Sequence, residues 1–257
     1  MPLMPGAEPY RHDGGRTGVL LCHGFTGTPQ SLRPWGRYLA DRGLTVSVPL
    51  LPGHGTRWQD MQITCWQDWY AEVDRELRDL TASCERVFVG GLSMGGTLAL
   101  HLAARHGDAV AGLMLVNPSV KADGTLIKAV PVLRHLVPTV AGIASDIAKP
   151  GVTELGYDRT PLHAVHSLTR LWRVVHDELP GITQPLLLMH SQVDHVVHPS
   201  NSAILLDRVA SRDVTERRLE RSRHVATLDH DAELIFDESY TFVQRLVPVD
   251  EGEIADG

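Results

Sequence analysis

Gly91-Leu92-Ser93-Met94-Gly95 sets one serine between two glycines. A short apolar run, Arg86 to Gly90, precedes it, and a helix-like stretch of small and apolar residues, Gly96 to Ala104, follows. Strand, sharp turn and helix in this order give the G-x-S-x-G pattern its mechanical meaning. The turn strains the serine backbone, and glycines on either side let strand and helix pass close to one another. The hydroxyl then stands clear of the sheet and the helix N-terminus faces whatever is attacked. Ser93 is the expected nucleophile.

A serine hydroxyl is a poor nucleophile at neutral pH and needs a base, which in turn needs an orienting acid. In strand–elbow–helix hydrolases the chain order is Ser, then Asp or Glu, then His. Pro185 to His190 reads as a buried parallel strand, and Asp194 follows its carboxyl end. Asp146 and Asp158 are its rivals, but neither follows a strand. Val214 to Leu219 reads as a strand toward the sheet edge, and His224 lies in the loop between it and a final helix, Asp231 to Leu246. The chain has 14 histidines. His23 and His54 fall in early turns, His101 and His106 on the helix behind Ser93, and His163, His166 and His176 on a later helix. His195 and His198 are too close in sequence to Asp194 to pair with it. His224 lies downstream, after the last strand, in a loop long enough to reach back, and is the expected base.

Acyl transfer develops an oxyanion, which needs donors already in place. The backbone N–H of Met94, next after the nucleophile, is one. The other is expected from Phe25, where the apolar run Thr17 to Cys22 enters His23-Gly24-Phe25-Thr26-Gly27 ahead of a helix near Pro29. All these groups sit at carboxyl ends of strands, where open parallel sheets bind ligands.

In this order and spacing, HGFTGTP, PLLPGHGT, GLSMGG, SQVDHVV and SRHVATLDHD resemble the α/β-hydrolase superfamily. Within it they resemble the bacterial monoacylglycerol lipases and small carboxylesterases, from about Gly18 to Leu246. The resemblance implies an α/β fold: a mostly parallel central sheet flanked by helices, with a small cap inserted after the sixth strand. It implies Ser93, Asp194 and His224 as the triad, and Phe25 and Met94 as oxyanion donors. It also implies a cap isoleucine and a cap glutamate touching acyl chain and glycerol; Ala141 to Asp146 and Thr153 to Tyr157 are the matching stretches, pointing to Ile143 and Glu154. The expected substrate is a small-molecule ester or lipid, foremost a monoacylglycerol. Lys121 to Thr139 departs from any such pattern.

A chain of 257 residues is long enough for one α/β domain spanning 1–257, with the cap insertion at 118–170. Between Pro118 and about Thr160 strand signals vanish and apolar residues gather, Val130, Val132, Leu133 and Leu136 among them. This makes the cap a candidate for transient contact with a lipid interface. The excess of 31 Asp and Glu over 24 Lys and Arg, a net charge of −7, argues against a nucleic-acid partner and offers no steering toward anionic membranes. Three cysteines cannot all pair, there is no leader-like apolar segment, and no run approaches about 18 apolar residues. A cytoplasmic protein, peripherally membrane-associated through the cap, is expected. No cofactor and no metal are expected, since His163-x-x-His166 and His195-x-x-His198 lack a third ligand. A general carboxylesterase, thioesterase, perhydrolase or acyltransferase would use the same triad, while a non-catalytic ligand sensor would not need it intact. Acyl length and oligomeric state stay open.

Overall fold

Val19 and Leu21 point to one side of their strand, Leu20 and Cys22 to the other, and all four are fully buried. A strand buried on both faces belongs to a sheet covered on both faces, as parallel α/β sheets are. The computed structural model describes residues 2–121, 125–142 and 145–247, without the side chains of residues 125 and 126.

The chain runs β1 (Tyr10–His12), β2 (Thr17–Cys22), α1 (Arg33–Ala40), β3 (Thr45–Val48), α2 (Trp58–Gln62), α3 (Trp66–Ser83), β4 (Arg86–Leu92), α4 (Met94–His106) and β5 (Gly112–Val116). It continues through α5 (Thr125–Leu133), β6 (Thr139–Ala141), β7 (Arg159–Pro161), α6 (Leu162–Glu178), β8 (Leu186–Ser191), α7 (Ser200–Arg208), β9 (Val214–Leu219) and α8 (Ala232–Leu246). Seven strands form one sheet in the order β1-β3-β2-β4-β5-β8-β9, parallel except for β1. One face is covered by α3, α4 and α6 through Trp69, Leu77, Leu98, Leu102, Leu168 and Leu171. The other is covered by α1 and α8 through Trp35, Leu39, Ile235 and Phe242.

β2 and β4 lie side by side, with Cys22 opposite Gly91, while the chain leaves β2 for β3 on one side and β4 for β5 on the other. The two connections diverge, so a crevice opens between the carboxyl ends of β2 and β4. Phe25 and Ser93 stand at its rim.

Between β5 and β8 the chain makes an insertion of α5 and a separate antiparallel pair, β6 with β7. Among the described residues five strands of the main sheet precede it, so it follows the fifth strand of this sheet where the sixth was expected. The sequence carried no strand signal here because β6 and β7 are three residues each, too short to display a period of two. Val130, Leu162 and Val165 form a small buried cluster under the insertion, against which Phe25, Ile127, Leu133 and Val140 pack.

Candidate active site

Ser93 caps α4 in a conformation that side chains seldom adopt, φ 56° and ψ −118°. Such a backbone persists only where its surroundings over-determine it. Here the Ser93 N–H donates to Val116 O at 3.0 Å, and its carbonyl accepts from Thr97 N at 3.3 Å and Ser119 N at 3.2 Å. A Cβ on Gly91 would lie 2.3 Å from Gly95 C, and one on Gly95 only 1.8 Å from Cys22 O. The glycines of the elbow therefore answer to a close approach of β2, β4 and α4. The N–H of Met94 is among the first of α4, which have no partner within the helix and carry its positive dipole end.

Asp194 and His224 come from the loops after β8 and β9. His224 Nδ1 is 2.8 Å from Asp194 Oδ2, and the Asp194 side chain is only 2 % exposed. A carboxylate accepts, so Nδ1–H donates and Nε2 carries the free lone pair. Asp194 Oδ1 accepts from Val196 N at 2.8 Å and Val197 N at 2.7 Å, which pins the acid to its own loop. His224 and Ser93 line one cavity.

The loop after β2 is braced from behind. His23 Nδ1–H donates to Gly24 O at 2.9 Å, and its Nε2 accepts from Leu51 N at 3.2 Å. Burial, with the neighbouring His54 ring, drives His23 down to about 3, so it stays neutral in this role. His54 is likewise driven by burial to about 4. Burial pushes the Cys22 thiol well up, which leaves it no nucleophilic role at neutral pH. Phe25 packs edge-on against Trp69 with ring centres 5.9 Å apart, and Gly24 lies against the elbow, where a Cβ would make ordinary contact with Ser93 Cβ at 3.6 Å.

The cavity measures about 260 Å³. Most of its wall is apolar: Ile127, Val130, Leu162, Val165, Leu168 and Trp172. Ser93, His224 and Glu154 supply polar groups to it. Glu154 rides on a strap from the insertion that is stitched to the β2 loop. Tyr157 N donates to Thr26 O at 3.1 Å, Thr28 Oγ1 to Leu155 O at 3.0 Å, and Leu155 N to Gln30 Oε1 at 2.9 Å. The carboxylate lies over Gly27, where a Cβ would come within 2.7 Å of Oε1. Burial raises Glu154 to about 7, against the opposing pull of His224. The residue is partly accessible because the cavity it lines is.

Six of the seven residues singled out from the sequence lie among those described. Ser93, Phe25, Glu154 and His224 meet at the cavity, Met94 heads α4 beside them, and Asp194 holds His224 from behind. Ile143 lies outside the described residues. Two residues were missed. Asn117, at φ 44°, donates through Nδ2 to His224 O at 2.8 Å and accepts at Oδ1 from Ser191 N at 2.7 Å, tying the end of β5 to the end of β8 and to the His224 loop. Its place just after a parallel strand was the available signal. Asp229 accepts from Ala148 N at 2.7 Å, Lys149 N at 2.9 Å and Arg223 N at 2.9 Å, joining the insertion to the His224 loop. Among the described residues no group of three or more His, Cys, Asp or Glu could hold a metal. No helix among them is long and apolar enough to cross a membrane.

The Hydrolase_4 family profile, described as serine aminopeptidase, S33, matches residues 15–231. A thermostable monoacylglycerol lipase of Bacillus sp. (strain H-257) is 41 % identical over 249 residues, covering 95 % of this chain and 97 % of the relative. A carboxylesterase of Bacillus subtilis (strain 168) is 27 % identical over 242 residues, covering 93 % and 97 %. A solved structure from work on two metagenome-derived lipolytic enzymes, LipS and LipT, superposes with a TM-score of 0.93 at 38 % identity, covering 95 % of this chain and 100 % of that one.

Proposed function

This chain belongs to the Hydrolase_4 (serine aminopeptidase, S33) family of α/β-hydrolases, and from that membership we propose that it is a serine hydrolase of carboxylic esters, monoacylglycerols foremost. One observation carries the proposal: a single cavity joins Ser93 and the Asp194-paired His224 to the Glu154 carboxyl on one hand and an apolar wall on the other. Ser93 Oγ attacks the ester carbonyl as His224 Nε2 takes its proton, and Asp194 fixes the tautomer and stabilises the imidazolium. The N–H groups of Met94 and Phe25 hold the oxyanion. The imidazolium then protonates the leaving alkoxide, and water, activated by the same histidine, frees the acid.

The apolar wall suits an acyl chain. Glu154 stands among the polar groups near Ser93 and suits an alcohol that carries further hydroxyls, accepting hydrogen bonds when ionised and donating one when protonated. The family description names an aminopeptidase, but a carboxyl raised to about 7 gives up much of the charge that would anchor an α-ammonium group. Glu154→Ala should lower kcat/KM for a monoacylglycerol by about 1–2 kcal/mol, roughly 5–30-fold, and barely change that for a p-nitrophenyl ester of the same chain. An equal change on both would return the assignment to a general carboxylesterase. A raised folded-state pKa also means that stability falls as pH rises from about 4.5 to 7. Glu154→Gln removes that loss, so its melting temperature should match the parent at pH 4 and exceed it at pH 8, by the equivalent of at most about 3 kcal/mol.

The outer face of the insertion supports a docking role at a lipid surface. Val132 is 69 % and Leu136 76 % exposed, with Val137 beside them. The sequence had suggested Leu133 as part of this face, but it is half-buried against the Val130 cluster. Arg134, Arg170 and Arg173 stand near His166 and, after burial, keep its ring below its ordinary range, a local gathering of positive charge in a chain of net charge −7. Val132→Ser with Leu136→Ser should weaken sedimentation with phosphatidylglycerol–phosphatidylcholine vesicles several-fold and spare hydrolysis of p-nitrophenyl acetate. Loss of both together would indicate a packing role instead.

A further inference from the structure

Asp146 was set aside as a triad acid because no strand precedes it, and His224 Nδ1 indeed pairs with Asp194. Its own contacts nevertheless run to both catalytic loops. Asp146 Oδ2 accepts from the backbone N–H of His195, the residue after Asp194, at 3.1 Å. The same oxygen accepts from the backbone N–H of His224 at 3.3 Å. Oδ1 accepts from His195 Nδ1 at 2.9 Å and lies 4.0 Å from the Arg223 guanidinium. The Asp146 carbonyl accepts from Val225 N at 3.1 Å, so His224 and the residue after it are both held. The side chain is 9 % exposed and borders the cavity.

We propose that Asp146 is a positioning residue for hydrolysis: reaching in from the insertion, its carboxylate clamps the Asp194 loop to the His224 loop and so sets the aim of the imidazole at Ser93. The proposal rests on the reading of Asp194 and His224 as acid and base. The register of β8 with β9 ends at Ser191 and Leu219, and Gln192 N donates to Leu219 O at 3.0 Å just beyond it. Asn117 ties the end of β8, at Ser191, to the His224 loop from the sheet side, and past that point Asp146 ties the Asp194 loop to the His224 loop from the insertion side. The two clamps grip His224 at opposite backbone groups, its carbonyl and its N–H. Burial alone would raise the Asp146 carboxyl, but the bonds from His195 and the His224 N–H overcome it and hold it below the ordinary carboxylate range. The insertion that covers the substrate and the histidine that moves the proton are thereby one mechanical unit. Asp229, binding Ala148 and Lys149 from the His224 loop, closes the same connection from the other direction.

The decisive comparison is between Asp146→Ala and Asp146→Asn. The amide introduced by Asp146→Asn is isosteric: its oxygen can accept from both backbone N–H groups, and its NH₂ can donate to His195 Nδ1 in the Nε2–H tautomer. Asp146→Ala removes the clamp. Activity is measured on p-nitrophenyl acetate per active site, with sites counted by exhaustive fluorophosphonate labelling so that unfolded protein does not enter. Asp146→Ala should lower kcat about 10–100-fold with KM within twofold, because an aim displaced by about 1 Å costs that much. Asp146→Asn should stay within about threefold of the parent. Should Asp146→Ala fail to fold, Asp146→Ser takes its place with an intermediate loss, one hydroxyl being unable to span both N–H groups. Parental kcat in the truncated variant, equal losses in Ala and Asn variants, or a loss carried wholly by KM would each overturn the proposal. Ser93→Ala and His224→Ala, which the label does not count, are run alongside and compared per mole of folded protein. If they abolish turnover while Asp146→Ala does not, the clamp alone falls; if they retain it, the hydrolase reading falls and the clamp with it.

Discussion

Ser93→Ala is expected to lower kcat by about 10⁴–10⁶, as is His224→Ala, and the double variant should lose hardly more than either alone. Groups that act as one unit fail as one unit: without the base the hydroxyl is inert, and without the hydroxyl the base has no proton to take. The folding cost should be small, since the Ser93 bonds described here are made by its backbone, to Val116, Thr97 and Ser119. Near-parental melting with kcat lost is the expected pair of results. Additive losses in the double variant would mean that the two residues act independently.

Gly95→Ala should produce little or no folded protein. Its new Cβ would stand 1.8 Å from Cys22 O and 2.4 Å from Cys22 C, and a methyl group has no rotamer by which to escape backbone atoms. Either β2 or α4 must move by more than an ångström, in a core packed at crystal density. Overpacking of this kind costs about 1–3 kcal/mol where side chains give way and more where backbone must. Gly181→Ala is the matched control, because nothing lies within 4 Å of its Cβ position. A Gly95→Ala protein that melts and turns over like the parent would contradict the close passage of strand and helix at the elbow.

The elements that bear chemistry were legible in the sequence because each is local. The elbow is five residues with a strand before and a helix after, the Asp194 loop follows an apolar strand run, and the His224 loop follows Val214 to Leu219, which alternates as a strand toward the sheet edge does. The two-sided burial of β2, β4, β5 and β8 makes those runs continuous and easy to find. The insertion was less legible for the opposite reason. β6 and β7 hold together through one short register, Thr139 to Ala141 against Arg159 to Pro161, and their partners are some 20 residues apart. Leu133 and Leu136 look alike in sequence, yet one is half-buried and the other exposed, which depends on where α5 ends. Asn117, Asp146 and Asp229 were hard to find as positioning groups because most of their partners are backbone N–H and C=O atoms, several of them in loops far off in sequence. Backbone partners leave no mark on residue type. Net charge describes the whole chain, so a value of −7 does not show that Arg134, Arg170 and Arg173 gather near His166.

The most direct test of Ser93 as nucleophile is covalent. A fluorophosphonate, which reacts with an activated serine and mimics the tetrahedral intermediate, should label the protein one-to-one as activity disappears. Peptide mass spectrometry should find the adduct on Ser93 and on no other residue, and the rate of labelling should collapse in His224→Ala. An enzyme that hydrolyses esters with Ser93 unmodified by the reagent, or that labels at full rate without His224, would contradict the account.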